Sequence, residues 1–124
     1  MRVLVIDDQA SVRALVRRIL EQAGHEVAEA EDGRDGLRLF QEQPVPVVVI
    51  DLIMPEQEGI ETIIALRKMA SKTLRIVVIS GGGRIQAKDL LPMAVKFGAD
   101  ATLTKPFLKE ELLACVEGRS TGLA

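Results

Sequence analysis

The fold class this 124-residue sequence predicts is a doubly wound α/β domain, five parallel strands with five helices on both faces. Two observations carry that prediction. Short apolar, β-branched runs alternate along the chain with longer segments whose apolar residues recur at helical spacing. Four of those runs also finish in polar residues, at Asp7-Asp8, Asp51, Ser80 and Lys105-Pro106. In an open parallel sheet the C-terminal ends of the strands line the crevice where ligands bind, so these residues should meet at one site.

The elements follow in order. Val3–Ile6 is a continuous apolar run, as expected of a strand covered on both faces. Val12, Leu15, Val16, Ile19, Leu20 and Ala23 then keep helical spacing, and Gly24 ends the helix. Glu26–Ala30 is short and alternating, which suits a strand near the sheet edge. From Gly33 to about Gln43, Leu37 and Phe40 lie on a helical stripe that Pro44 stops. Val47–Ile50 is the most apolar run and reads as the central strand.

Pro55 to Gly59 lead into a helix bearing Ile60, Ile63, Ile64 and Leu66. Arg75–Ser80 is the fourth strand, followed by the loose run Gly81-Gly82-Gly83. Leu90, Leu91, Ala94 and Val95 mark a helix ended at Gly98, and Ala99–Thr104 is a weaker fifth strand. Leu108, Leu112, Leu113 and Val116 mark the last helix. One domain therefore occupies residues 1–118, with a short tail at 119–124. No repeat, linker or low-complexity segment interrupts it, and no segment reads as an output domain.

Bulk properties narrow the function. A formal charge of −2 argues against a surface built for nucleic acid. Arg17-Arg18 and Arg67-Lys68 read as solvated helix faces. The single Cys115 has no internal disulfide partner and lies in an apolar stretch, where a packing role outweighs a redox one. The N-terminal apolar run is too short for a signal peptide, and no run approaches the roughly 18 to 20 apolar residues of a bilayer span. The chain reads as cytoplasmic, with no membrane partner.

Asp7, Asp8 and Asp51 brought within a few ångströms would repel one another, so such a cluster normally holds a cation. Hard oxygen ligands suit Mg²⁺, which keeps waters and shares a phosphate as ligand. Asp51, alone at the end of the central strand, is then a candidate nucleophile, because carboxylates form acyl phosphates. Lys105 can meet a phosphoryl oxygen as a point charge, and Ser80 can donate a hydrogen bond to another. A cis Lys105–Pro106 peptide would fix the lysine's direction, although trans is the commoner form of such bonds.

Together these residues resemble a response-regulator receiver domain, the phosphoacceptor module of two-component signalling, in its chemotaxis-type single-domain form. The resemblance runs from about Arg2 to Gly118. It rests on Asp7-Asp8, on Asp51-Leu52-Ile53-Met54-Pro55 leading to Gly59, on Ser80 after an apolar strand, and on Lys105-Pro106-Phe107. No one motif is specific, whereas all four in this order are.

The resemblance implies a flavodoxin-like strand order, 2-1-3-4-5. It implies that Asp51 accepts phosphate from a phosphohistidine on a histidine kinase or histidine phosphotransfer protein. Asp8 would bind Mg²⁺ directly with Asp51 and the backbone carbonyl of Ile53, and Asp7 would act largely through water. Lys105 would contact the phosphoryl group and Ser80 would move to hydrogen-bond it, reshaping the face of the fourth helix, fifth strand and fifth helix. The output is then protein–protein contact, with the last helix and strand a candidate homodimer face. The downstream target is left open, and no turnover enzyme is implied beyond self-phosphorylation and slow loss of phosphate.

Two departures stand out. Family members often carry an aromatic residue three positions before the lysine; here it is Thr102, and the chain has no Tyr or Trp. Either Thr102 couples with Ser80 as a hydroxyl pair, or the three glycines after Ser80 carry the response as loop motion. In addition, neither Ile53 nor Gly82 can orient water near the phosphate, so self-dephosphorylation should be slow.

Plainer readings exist for each residue alone. The paired acids could cap a helix, Asp51 could cap a loop, Ser80 is an ordinary hydroxyl, and Lys105 an ordinary surface lysine. Met54 and Pro55 read as loop-shaping, Phe107 as core, Asp100 as a turn acid, and His25 as a lone turn histidine. Three rival functions also fit parts of the chain. A phosphorylation-independent interaction module of the same fold is kept alive by Thr102. An aspartyl-phosphate phosphatase would want acids two positions apart, where this chain has an adjacent pair followed by Gln9. A flavin-binding protein would want a phosphate loop where Asp7-Asp8 would repel phosphate.

Overall fold

The computed structural model describes residues 1–52, 58–70, 73–80, 92 and 94–118. Its strands are β1 (Arg2–Ile6), β2 (Glu26–Ala30), β3 (Val47–Asp51), β4 (Arg75–Ser80) and β5 (Ala101–Thr104). Its helical segments are α1 (Ala10–Gln22), α2 (Gly33–Glu42), α3 (Glu58–Met69), α4 (within which residues 94–97 are described) and α5 (Lys109–Glu117). All five strands are parallel, in the order β2-β1-β3-β4-β5. The doubly wound expectation holds. Val47–Asp51 is the central strand and Glu26–Ala30 an edge, as their apolar and alternating patterns require.

Strand side chains alternate between faces, and this sorts the core into two layers. Leu4, Ile6, Val48, Ile50, Ile76 and Val78 cluster with Phe40 of α2, Ile60, Ile63 and Leu66 of α3, and Ala94 of α4. Val3, Val5, Val47, Val49, Val77, Ile79 and Leu103 cluster on the opposite face with Val16, Ile19 and Leu20 of α1 and Leu112 and Val116 of α5. Each fully buried Leu, Ile or Val removes apolar surface from water worth about 1.5–3 kcal/mol. Both faces being covered is why β1, β3 and β4 carry only apolar residues between their first and last positions.

Local chemistry sets several boundaries. Asp32 caps α2 by accepting the Asp35 N–H at 2.7 Å, and Glu111 reaches back to the Leu108 N–H at 2.7 Å at the start of α5. Gly24 and Gly98 take left-handed φ values of 92° and 128° after α1 and α4, where any other residue would be strained. Arg67 of α3 donates to the Leu74 carbonyl at 2.7 Å and the Gly98 carbonyl at 2.9 Å. It also pairs with Asp100, whose carboxylate accepts the Ile76 N–H at 2.8 Å. Asp100 is thus more than a turn acid, since it joins the start of β4 to the α4–β5 turn.

At the far end of the sheet from the polar strand ends, His25 Nε2 lies 2.9 Å from Glu117 Oε2, so that histidine ties the α1–β2 turn to α5. Cys115 is half-buried against the α1–α5 layer, and burial pushes its thiol up. Phe107 packs half-buried on the same layer. The start of the fourth helix at Leu90 and Leu91, the Gly81-Gly82-Gly83 run and the 119–124 tail lie outside the described residues. No helix among the described residues is long and apolar enough to cross a membrane.

Gly59 is a close-approach position. A Cβ there would stand 2.8 Å from the Leu52 carbonyl oxygen and 3.0 Å from Leu52 Cα, so the first turn of α3 lies directly on the backbone that follows Asp51. Backbone cannot yield as a side-chain end can. Gly59→Ala is expected to destabilise the fold by about 1–3 kcal/mol, the usual range for overpacking, as measured by urea unfolding. An unchanged midpoint would show that α3 shifts freely away from β3.

Candidate functional site

Parallel register places the strand ends side by side. Ile6 pairs with Ile50 and Asp51 with Ile79, while Ser80 pairs with Thr104. The residues just past β1 therefore sit beside the end of β3, and those just past β5 lie one strand further across, beyond β4. Asp7 and Asp51 are buried, at 2% and 4% exposure, and Asp8 is exposed. One carboxylate oxygen from each of the three lies within 4.8 Å of the others. Lys105 Nζ stands 3.3 Å from Asp51 Oδ2.

Backbone contacts hold this arrangement. The Asp7 N–H donates to the Ala30 carbonyl at 3.1 Å, the Leu52 N–H to Ile79 at 2.8 Å, and the Lys105 N–H to Ser80 at 2.8 Å. Asp7 Oδ1 accepts the Gln9 N–H at 2.8 Å, so Asp7 shapes the loop before α1 and does not cap the helix itself. The Lys105–Pro106 peptide is cis, against the expectation of trans.

Electrostatics set the character of the site. Burial is the main cause pushing Asp7 up from its ordinary 3.8 to about 6, and the nearby Asp51 charge adds to it. The Gln9 N–H and Lys105 pull in the opposite direction. Three carboxylates against one ammonium leave a negative, oxygen-lined pocket at the sheet's end. Such a donor set fits a small hard divalent cation.

Asp7, Asp8, Asp51 and Lys105 are thus brought together as their positions at strand ends predict. Ser80 is buried at 1% exposure, but strand alternation puts it with Ile76 and Val78, on the opposite face from Asp51, Val49 and Val47. The hydroxyl beside it across the ladder belongs to Thr104, while Thr102 faces Val78 and is exposed. Ile53, Met54, Pro55 and Gly82 lie outside the described residues. Sequence reasoning passed over Arg13, whose Nη1 donates to the Asp7 carbonyl at 2.6 Å. The only signal was its place in the first turn of the helix after the acids.

The family model for the response regulator receiver domain matches residues 3–117. The chemotaxis protein CheY of Thermotoga maritima is 36% identical over 107 residues, which cover 86% of each chain. The transcriptional regulatory protein PrrA of Mycobacterium tuberculosis is 37% identical over 116 residues, 94% of this chain and 48% of that one. The chain likewise spans 46% of a probable transcriptional regulatory protein of Picosynechococcus, about half the length of such relatives. A solved response regulator receiver domain protein from Clostridium thermocellum matches with a TM-score of 0.85 at 28% identity, covering 94% of this chain and 91% of that one.

The raised Asp7 pKa has a direct consequence for stability. The folded state holds its proton to higher pH than the unfolded chain does, so this group's contribution is full below about pH 4 and is lost as pH rises through about 6. Asp7→Asn is expected to make the metal-free protein more stable than wild type by about 1–3 kcal/mol above pH 6. The difference should vanish near pH 4. Urea unfolding at pH 4 and pH 7.5, without divalent cations, checks this; equal stability at both pH values would show that Asp7 carries no charge penalty.

Proposed function

The chain belongs to the response regulator receiver domain family, and from that premise we propose that it is the phosphoacceptor switch of a two-component phosphorelay. One observation carries the reading. A buried carboxylate ends the central strand, with two more carboxylates within 4.8 Å and an ammonium at 3.3 Å.

In this reading an Asp51 carboxylate oxygen attacks the phosphorus of a phosphohistidine. The P–N bond breaks, the imidazole leaves, and an acyl phosphate forms on Asp51. Asp8 and Asp51 would hold Mg²⁺ together with the Ile53 carbonyl, and Asp7 would support it through water. The ion, when bound, offsets charge on the phosphoryl oxygens. Lys105 exchanges its Asp51 contact for a phosphoryl oxygen, and Ser80 crosses toward the new anion. The phosphoryl group thereby biases one of two local conformations through new charge-assisted hydrogen bonds.

The donor is a histidine kinase or a histidine phosphotransfer protein in the cytoplasm. The product is altered protein–protein contact rather than a released small molecule. The formal charge of −2 disfavours direct nucleic-acid binding by this domain. A homodimer through β5 and α5 is one form the output contact takes.

Intact mass spectrometry after incubation with acetyl phosphate or phosphoramidate tests the reading. A gain of one phosphoryl group that requires Mg²⁺ and is lost in Asp51→Asn is the expected result. No gain under either condition would turn the assignment to a phosphorylation-independent interaction module. Once labelled, the wild type should lose phosphate slowly. The double change Ile53→Asn and Gly82→Glu should speed that loss by about tenfold, by supplying groups that orient water. An unchanged decay would remove positions 53 and 82 from the account.

A further inference from the structure

We propose that Arg13 is a positioning residue for the cation site, acting through the backbone of the Asp7-Asp8 pair. The inference rests on the reading that the acidic pocket holds Mg²⁺. Asp8 is exposed, so packing does not hold its carboxylate in place. Its direction is set instead by the peptide unit that joins it to Asp7. That unit is fixed at its carbonyl, which accepts Arg13 Nη1 at 2.6 Å. The Asp7 N–H is anchored on Ala30 at 3.1 Å, and the Asp7 carboxylate on the Gln9 N–H at 2.8 Å. Arg13 completes the set of restraints on the paired acids.

A guanidinium beside a cation site would weaken Mg²⁺ binding by repulsion unless its charge were matched. Here it is matched. Arg13 Nε meets Glu29 Oε1 of β2 at 3.2 Å, and the other Glu29 oxygen takes Arg17 Nη1 at 2.5 Å. Hydrogen bonding from Arg17, then from Arg13, holds the Glu29 carboxyl below its ordinary range. Glu29 thus stays ionised and neutralises its partner. What Arg13 supplies is therefore direction rather than net charge. The role needs a fork, because Nε and Nη1 engage Glu29 and the Asp7 carbonyl at once, which a single ammonium cannot reproduce.

Isothermal titration of the full chain with MgCl₂ at pH 7.5 and constant ionic strength tests this, alongside thermal unfolding without Mg²⁺. Arg13→Ala and Arg13→Lys should each raise the Kd for Mg²⁺ by about tenfold, the low end of the cost of losing an outer partner. Arg18→Ala, an exposed change on the same helix, should leave it unaltered. Arg13→Lys carries the test should Arg13→Ala not fold. Wild-type affinity in the folded variants, or full rescue by lysine, would overturn the directional role. A wild-type protein that binds no Mg²⁺ would instead overturn the cation reading itself, and this inference with it.

Discussion

Two carboxylates withdrawn from water at the end of an apolar sheet are the constraint on which the rest of this structure depends. Asp7 and Asp51 are each less than 5% exposed, and each continues a row of Val and Ile side chains. Burying them together is unfavourable unless positive charge is close. Lys105 supplies one ammonium at 3.3 Å from Asp51. Burial, with the Asp51 charge adding to it, lifts the Asp7 pKa to about 6, so Asp7 keeps its proton more readily than a solvated carboxylate. A divalent cation would supply further positive charge. The pocket is thus poised for whichever positive species or phosphoryl–cation pair best relieves the repulsion, and it is costly to leave empty at neutral pH.

The sheet makes this pocket possible because every strand runs the same way. Parallel pairing brings the ends of β1, β3 and β5 to one edge of the domain, and the covered faces keep the interiors of β1, β3 and β4 apolar. The strand order puts the strand that ends in Asp51 in the middle, with the paired acids following the neighbouring β1. The lysine reaches in from beyond β4, from the edge strand β5. Contacts made by the backbone of Asp7, Leu52 and Lys105 then fix where each side chain begins. Gly59, pressed against the Leu52 backbone, shows how little free space remains behind Asp51.

The Ser80 side of the site is built from small hydroxyls. Ser80 lies at the end of β4, and strand alternation sets it on the face opposite Asp51. Its ladder neighbour is Thr104, and Thr102 is exposed beside Val78. With a small hydroxyl at position 102, no large side chain stands there to swing inward.

Local pattern determined much of this protein without help from the fold. The alternation of apolar runs and helical stripes identified every strand and the helices from α1 to α5. Left-handed turns at Gly24 and Gly98, and the polar ends of the runs, marked the boundaries and the candidate site. These features are legible because periodicity and turn chemistry act between residues near in sequence. The tertiary structure alone decided that Arg13 grips the Asp7 carbonyl and that Asp100 joins Arg67 to the Ile76 N–H. It likewise decided that His25 meets Glu117 and that Thr104, not Thr102, stands beside Ser80. Those contacts join residues on different elements, or turn on which of two neighbouring residues faces a given partner. They depend on strand order and on a register in which a shift of one residue would turn each side chain to the other face.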